Sequence, residues 1–415
     1  MNAKPNYRLI LPGIAWEQAV RTLLLEPDQC AIGALRWNAG ADMTELLANH
    51  LEIKENLPQG QDQFPLTDWM VLTIQQSPEI TPVEILQQIA PRVSQTVVIV
   101  TLYKDDFSRW EGLVHRDGTC YPLEEVRVIG PGMLRLERVS QTELFEPPLS
   151  GRWSRTIGAL GNELWQQVSQ AHVLQIGCGR NGTLVAWQFA GLGIRQITLV
   201  DPDQLEWGNL DAMPGLTHDD VGQPKATALA KRLVAFNPDM MLRCVTEPVT
   251  DVLSHLRSRF DLIVTCVDAD APRLAASWLS RELLIPHLDI GTSVQRTAEA
   301  PVMSGDIRLL LPFQGCVNCV GGLSDSEETF YEFAAPPGSM HRGEPVAWHE
   351  QRAGSLVHLN SIAVGTSLEI WLSLLQRHVG SFWQRLSWNH QSGLEANGAT
   401  VGPDQSCPFC TVEAK

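Results

Sequence analysis

From residue 150 onward, short continuous apolar runs alternate with longer stretches whose apolar positions recur with helical spacing. Ala171–Ile176, Gln196–Val200, Leu242–Val245 and Asp261–Cys266 are the runs, and each predicts a strand. Between them, Thr183–Leu192 and a stretch from Val221 to Phe236 predict helices. Strands alternating with helices imply a parallel, doubly wound sheet. Before residue 150 the pattern is more broken. Ile80–Ile89 has helical spacing, with Thr81 placed to cap it and Pro82 at its first position. Residues 95–103 (QTVVIVTLY) and the segment around Val126–Val128 predict β-branched strands, so this part is expected to be a small α+β domain made of a helix, a hydrophobic strand and a terminal hairpin. Glu146-Pro147-Pro148 predicts a linker and divides the chain into domains 1–148 and 149–415.

Composition narrows the function classes. At 415 residues the chain exceeds one ordinary core, and 44% hydrophobic with 19% charged residues is globular. The net charge of -16 disfavours a phosphate backbone as partner, so no nucleic acid is expected. The start, MNAKPNYRLILPG, lacks a basic region followed by a long apolar core, and runs such as Val97–Leu102 and Ile307–Phe313 are far shorter than a membrane span. A cytoplasmic protein without membrane contact is the expectation.

Nine cysteines without a secretory signal argue for a metal site and reduced thiols over a disulfide framework. Four form two C-x-x-C pairs, Cys316/Cys319 and Cys407/Cys410. Each pair offers two thiolates on one turn, and together they predict a closed, structural four-cysteine Zn2+ site that staples the C-terminus back onto its domain. The histidines show no zinc-ligand spacing.

The second candidate chemistry is the sequence IGCGRNG. Gly177, Gly179 and Gly182 stand in G-x-G-x-x-G spacing between a strand and a helix, where backbone N–H groups and a helix N-terminus favour a phosphate. The following strand ends in Asp201 and Asp203, placed for ribose hydroxyls. By itself this suggests a dinucleotide dehydrogenase. Asn209-Leu210, then DVGQPK with Lys225 opening a helix, then Asp268 beyond a strand end, and Arg152 and Arg155 upstream, do not fit that reading.

Taken in order, these motifs from Arg152 to Cys410 resemble the ThiF-type family of adenylating enzymes that activate ubiquitin-like and sulfur-carrier proteins. The resemblance implies an α/β, Rossmann-like doubly wound domain with a zinc-stapled C-terminus, preceded by the smaller α+β domain. It implies that the glycine loop (Gly177, Gly179, Arg180, Gly182) cradles ATP, that Asp203 with Asp201 contacts the ribose, and that Asn209 and Lys225 contact phosphates. Asp268 resembles the carboxylate near Mg2+, and Arg155 the arginine that reaches ATP in a neighbouring subunit, hence a homodimer. The implied reaction is adenylation of the C-terminal carboxylate of a ubiquitin-like protein, with a ubiquitin-conjugating-type enzyme as onward partner in a bacterial-type conjugation pathway. Family members read N-L-x-R after the acidic strand; here Ala212 replaces that arginine. Either Arg180 substitutes for it, or the site is weakened, or the alanine is an engineered replacement. Conjugating members use a cysteine after the first C-x-x-C, and residues 321–356 hold none, so no self-thioester is expected. Adenylation of a peptide or sulfur-carrier C-terminus, and a catalytically weakened scaffold, remain alternatives. Residues 95–139 resemble part of a JAB/MPN domain, yet Thr73–Pro78 lacks the histidine pair of active members. That domain is read as a degenerate scaffold for dimerisation or docking.

Overall fold

The computed structural model describes residues 6–26, 29–39, 43–55, 68–75, 81–89, 95–130, 133–138, 151–256, 260–296, 301–324, 329, 356–376, 379–389 and 393–410. The linker at 146–148, residues 76–78 and most of 321–356 lie outside them. The chain divides into two compact units, Met1–Phe145 and Glu146–Lys415.

The first unit contains β1 (Tyr7–Pro12), α1 (Gly13–Leu25), β2 (Cys30–Ala34), β3 (Arg36–Ala39), β4 (Thr44–Leu47), β5 (Glu52–Lys54), β6 (Trp69–Gln75), α2 (Pro82–Ile89), β7 (Val97–Tyr103), β8 (Asp106–Arg116), β9 (Thr119–Ile129) and β10 (Leu134–Glu137). Its strands run β3-β4-β1-β9-β8-β7-β6-β2-β5, with β10 paired to β9. β7 is buried along its whole length, as a continuous apolar run requires when both faces are covered. Leu72, Val98 and Val100 pack with Trp16, Ala19 and Leu23 of α1, and Val71, Val97 and Ile99 pack with Ile85 and Ile89 of α2. The cap of α2 is reciprocal: the Thr81 N–H donates to Glu84 Oε2 at 2.7 Å, and the Glu84 N–H donates to Thr81 Oγ1 at 3.3 Å. The unit is richer than the helix, strand and hairpin expected. β1 and α1 were illegible because YRLILP passes directly into the helix at Gly13 with no polar punctuation, and β3 to β5 are too short to show alternation.

The second unit contains α3 (Ser154–Leu160), α4 (Asn162–Gln170), β11 (His172–Ile176), α5 (Arg180–Leu192), β12 (Gln196–Val200), α6 (Lys225–Phe236), β13 (Met241–Val245), α7 (Val249–Val252), β14 (Leu262–Thr265), α8 (Asp270–Leu283), β15 (His287–Arg296), β16 (Pro301–Leu310), α9 (Val357–Leu375), β17 (Phe382–Asn389) and β18 (Gly393–Thr400). The sheet order is β13-β12-β11-β14-β15-β16-β17-β18. From β13 across to β15 the neighbours are parallel, and β16 to β18 extend the sheet antiparallel. The expected Rossmann-like half is therefore present, with an antiparallel extension that the strand-helix rhythm did not signal. Leu174, Ile176 and Ile263 pack on Ala275, Ala276 and Leu279 of α8, while Phe189 of α5 meets Trp371 of α9 edge to face at 5.6 Å. α6 begins at Lys225 rather than Val221, since Gly222 has φ +84° and Pro224 is the N-cap. α5 begins at Arg180, inside the glycine motif, rather than at Thr183.

Among the described residues no helix is long and apolar enough to cross a membrane.

Candidate functional site

The sheet reverses its winding direction between β11 and β14, where the first three strands run to one side and β14 and β15 to the other. Doubly wound sheets bind ligands beyond the carboxyl ends of the strands at this point. Each glycine of the motif there has its own reason. Gly177 has φ +97°, and a Cβ on it would lie 2.6 Å from the Cys266 carbonyl. A Cβ on Gly182 would lie 2.0 Å from the Gly177 carbonyl, so α5 can close on the strand only through glycine. Gly179 is different: a Cβ there meets nothing within 4 Å. Its face is open, with no atom where a side chain would stand.

Buried hydrogen bonds fix the loop. The fully buried Gln175 donates through Nε2 to the carbonyls of Gly177 (3.1 Å) and Gly182 (2.9 Å). Asp201 is buried, and its two oxygens accept the N–H groups of Cys178 (2.6 Å) and Asp203 (2.9 Å). Burial raises the Asp201 pKa, against the pull of these N–H groups and of Lys225. The geometry makes Asp201 the brace of the glycine loop and leaves Asp203 as the exposed carboxylate.

Lys225 is held beside both. Its N–H donates to the Asp203 carbonyl at 2.9 Å, and its Nζ lies 3.0 Å from Asp203 Oδ2. Burial pulls its pKa down, but Asp201, Asp203 and Asp268 outweigh this and raise it above the ordinary lysine value. A cation at every physiological pH therefore sits at the mouth of the loop, with Asp268 exposed close by.

Asn209 begins no helix of its own but closes a 3-10 turn over Trp207–Ala212. Its Oδ1 accepts the Glu206 N–H at 3.0 Å, which leaves the amide NH2 as its donor. Ala212 is buried in the same turn. Arg180 reaches that turn from the glycine loop and pairs with Asp211 at 2.8 Å. Asp211 is 62% exposed, and pairs of this kind contribute at most about 1 kcal/mol, so the guanidinium is held only weakly there. Arg152 and Arg155 separate clearly. Arg152 stacks over Phe236 (4.4 Å) and Trp153 (5.0 Å), whereas Arg155 is exposed on α3, a helix with no buried residue.

Beneath the site runs a buried polar chain that sequence reasoning missed. Arg308 Nη1 donates to Asp289 Oδ2 at 2.7 Å, and Thr265 Oγ1 donates to Asp289 Oδ1 at 2.6 Å. Thr265 Oγ1 then accepts from His287 Nε2 (2.8 Å), and His287 Nδ1 accepts from Ser277 Oγ (3.2 Å). Ser277 Oγ in turn accepts the Val317 N–H at 3.2 Å, so one direction of donation runs through the chain and assigns the neutral Nε2–H tautomer. Arg273 lies 3.4 Å from Asp289 and donates to the carbonyls of Val267 (2.7 Å) and Gly322 (3.3 Å), tying the Asp268 loop to the segment after Cys319. Asp289 stays ionised: burial raises its pKa, but Arg273, Arg308 and His287 bring it below the usual carboxylate value. The signal in the sequence was the period-two placement of His287 and Asp289 in the otherwise apolar run PHLDI.

Burial lowers the pKa of His287 to about 4, Asp289 opposing and Arg273 and Arg308 adding to it. Between pH 6.5 and 4 the unfolded chain binds a proton that the folded chain refuses, so stability rises with pH through this window and is lost on acidification. The loss expected at this residue is on the order of 3 kcal/mol. Urea titrations from about pH 7 to about pH 4 of the native protein and of His287→Gln check it. A slope identical in both proteins removes His287 as the source.

The four-cysteine cluster lies at the other end of that chain. Sγ–Sγ separations are 3.7 Å for Cys316–Cys319 and for Cys316–Cys407, and 3.5 Å for Cys319–Cys410. All four sulfurs lie within 4.8 Å of one another. A tetrahedral ion with bonds of about 2.3 Å places its sulfurs roughly 3.8 Å apart, so the four residues fit Zn2+ closely. Hydrogen bonding with Cys316 and Cys410, and the bond from the Asp404 N–H, hold Cys319 well below the usual thiol pKa. Asn318 Nδ2 also donates to Cys407 Sγ at 3.5 Å, and Arg281 of α8 clamps the Phe409 and Cys410 carbonyls at 3.3 Å. A Cβ on Gly315 would lie 2.9 Å from the Gly402 carbonyl, so the two knuckles meet backbone to backbone.

Residues 153–343 match the ThiF family. The chain is 30% identical over 158 residues to the sulfur carrier protein ThiS adenylyltransferase of Escherichia coli, covering 37% of this chain and 60% of that protein. Identity is 33% over 124 residues to ubiquitin-activating enzyme E1 1 of Schizosaccharomyces pombe, covering 30% and 12%. It is 32% over 170 residues to the ATP-dependent ubiquitin transferase-like protein Cap2 of Enterobacter hormaechei, covering 37% and 28%. The chain thus spans 60% of the first relative's length and far less of the other two.

Proposed function

We propose that the ThiF-family domain of this chain is an ATP-dependent adenylyltransferase acting on the C-terminal carboxylate of a ubiquitin-like protein. The observation that carries this is the open glycine loop, at the sheet's switch point, faced by a lysine that three aspartates keep charged. A carboxylate oxygen attacks the α-phosphorus, the bond from that phosphorus to the bridging oxygen breaks, and pyrophosphate leaves. Gly177, Gly179 and Gly182 shape the phosphate cradle, Asp201 braces it, and Asp203 takes the ribose. Lys225, Asn209 and Arg180 meet the negative charge that builds on the phosphate oxygens, where such contacts act most strongly. Asp268, exposed beyond β14, would hold Mg2+, which would supply positive charge beside the leaving pyrophosphate. α3, with no buried residue of its own, presents Arg155 to a second copy, as a homodimer requires.

The adenylate passes directly to an acceptor, a conjugating-type enzyme in a conjugation pathway, without a self-thioester. Supporting this, Cys178 and Cys266 have their thiols pushed far up by burial, and no cysteine occurs between residues 321 and 356. The first unit is read as a docking or dimerisation scaffold.

ATP–pyrophosphate exchange tests the function. Exchange that appears only with a free C-terminal carboxylate supports it. Full ATP binding with no exchange for a ubiquitin-like protein, a sulfur carrier or a peptide leaves a scaffold. The pair Arg180–Asp211 beside buried Ala212 favours Arg180 as the substituting cation. Arg180→Ala should lower exchange about a hundredfold, and Ala212→Arg in that background should restore part of it. Equal rates in native and Arg180→Ala proteins would remove Arg180 from the site.

A further inference from the structure

Arg273, near the start of α8, reaches three other segments of the second unit. Its Nη2 donates to the Val267 carbonyl at 2.7 Å, its Nη1 donates to the Gly322 carbonyl at 3.3 Å, and its Nε lies 3.4 Å from Asp289 Oδ1. The shortest of these contacts is to a loop carbonyl and the longest is to the carboxylate. Asp289 already receives Arg308 Nη1 at 2.7 Å. Neutralising Asp289 therefore accounts for only part of what Arg273 does, since its closest N–H groups are directed at two carbonyls. Gly291 of β15 makes room for the guanidinium, because a Cβ there would lie 3.1 Å from Nη2.

The two carbonyls belong to different turns. Val267 and Asp268 lie between β14 and α8 and lean on the glycine loop. The Cys266 N–H donates to the Ile176 carbonyl at 2.9 Å, and a Cβ on Gly177 would lie 3.0 Å from Val267 Cγ1. Asp268 is the next residue, and its charge acts on Lys225. Gly322 closes the turn that follows the first C-x-x-C pair. Its N–H donates to the Val317 carbonyl at 2.8 Å, and a Cβ on it would lie 2.5 Å from Val317 Cγ2 and 3.1 Å from Arg308 Nε. Two residues on, the Ser324 N–H donates to Asp270 Oδ2, so the same segment is held at the start of α8 a second time. The loop that carries Asp268 is thus tied to a closely packed turn.

We propose that Arg273 is the positioning residue of Asp268: by joining the Val267 carbonyl to the packed turn at Gly322, it fixes the loop that carries this carboxylate and so sets the affinity for magnesium-bound nucleotide. The inference rests on the adenylation reading and adds the residue on which the carboxylate of that site depends. A planar guanidinium suits the task, because its diverging N–H groups reach two carbonyls on different segments at once. A lysine ammonium at the end of a flexible stem does not reproduce that geometry. Groups that orient a metal-binding carboxylate without touching the ion alter metal affinity by about ten- to a hundredfold.

The test uses the full chain and a non-hydrolysable ATP analogue, titrated calorimetrically with excess Mg2+ and again with EDTA. Arg273→Lys keeps a cation for Asp289, so it should melt close to the native protein. Its Kd for the analogue should rise about tenfold in Mg2+ and stay unchanged in EDTA. Arg273→Gln, which removes the charge as well, should show the same Mg2+-dependent loss with a lower melting temperature. In an Asp268→Asn background the loss should vanish, since a residue that acts through Asp268 has nothing left to act on. An unchanged Kd in Mg2+, equal weakening with and without Mg2+, or an undiminished loss beside Asp268→Asn overturns the positioning role. Carboxylate-dependent exchange by the native protein, run alongside, upholds adenylation in each of those cases. Native binding indifferent to Mg2+, with no exchange, overturns both.

Discussion

Lys225→Ala should lower carboxylate-dependent ATP–pyrophosphate exchange by about a thousandfold while leaving the fold intact. The residue is anchored twice to Asp203, through its backbone N–H at 2.9 Å and its Nζ at 3.0 Å. Asp201 and Asp268 add to the field that keeps it protonated. Such a cation requires no reorganisation when charge builds on the phosphate, which is the condition under which a single contact contributes most. The fold depends little on it, because Asp203 is 53% exposed and the buried Asp201 keeps its bonds from the Cys178 and Asp203 N–H groups. Lys225→Arg should restore little, since a planar fork does not reproduce a compact point charge at this spacing. Exchange kinetics together with a thermal melt check this. A variant that melts normally and exchanges at the native rate would remove Lys225 from the chemistry.

Cys410→Ser should release the ion and lower the melting temperature by roughly 10 °C. Three thiolates remain, but Cys319 loses a partner at 3.5 Å and the second knuckle loses its tether. The clamp from Arg281 to the Phe409 and Cys410 carbonyls then holds a segment no longer fixed from the other side. The disturbance reaches inward, because Val317 within the first knuckle donates to Ser277 and so joins the chain through His287 and Thr265 to Asp289. Metal analysis by mass spectrometry of the purified variant and calorimetric melting are the readouts. Stoichiometric zinc retained in Cys410→Ser would refute the four-cysteine pairing.

Sequence pattern revealed the parts of this protein whose signals are local. A strand, a glycine turn and a helix occur within Ala171–Leu192, so their order is visible in the chain, and both C-x-x-C pairs announce themselves by spacing. The roles that depend on distant residues were not visible. Asp201 and Asp203 look alike in the sequence, yet one braces Cys178 and the other faces solvent, which only the turn after β12 decides. Thr265, His287, Asp289 and Arg308 come from three strands and meet only when those strands align. The first unit is α+β as expected but holds more strands than its local pattern signals, because β1 pairs with β4 and β9, the latter more than a hundred residues away, and no local periodicity encodes that partnership. Arg152 and Arg155 likewise needed Phe236 in view before one could be told from the other.

Oxygen-18 transfer tests the central claim most directly. A substrate labelled in its C-terminal carboxylate is incubated with the protein, Mg-ATP and an acceptor nucleophile, and the phosphate products are analysed by mass spectrometry. Attack of the carboxylate on the α-phosphorus places one labelled oxygen in AMP and none in pyrophosphate. Label in inorganic phosphate, or unlabelled AMP formed alongside turnover, would contradict adenylation by this domain.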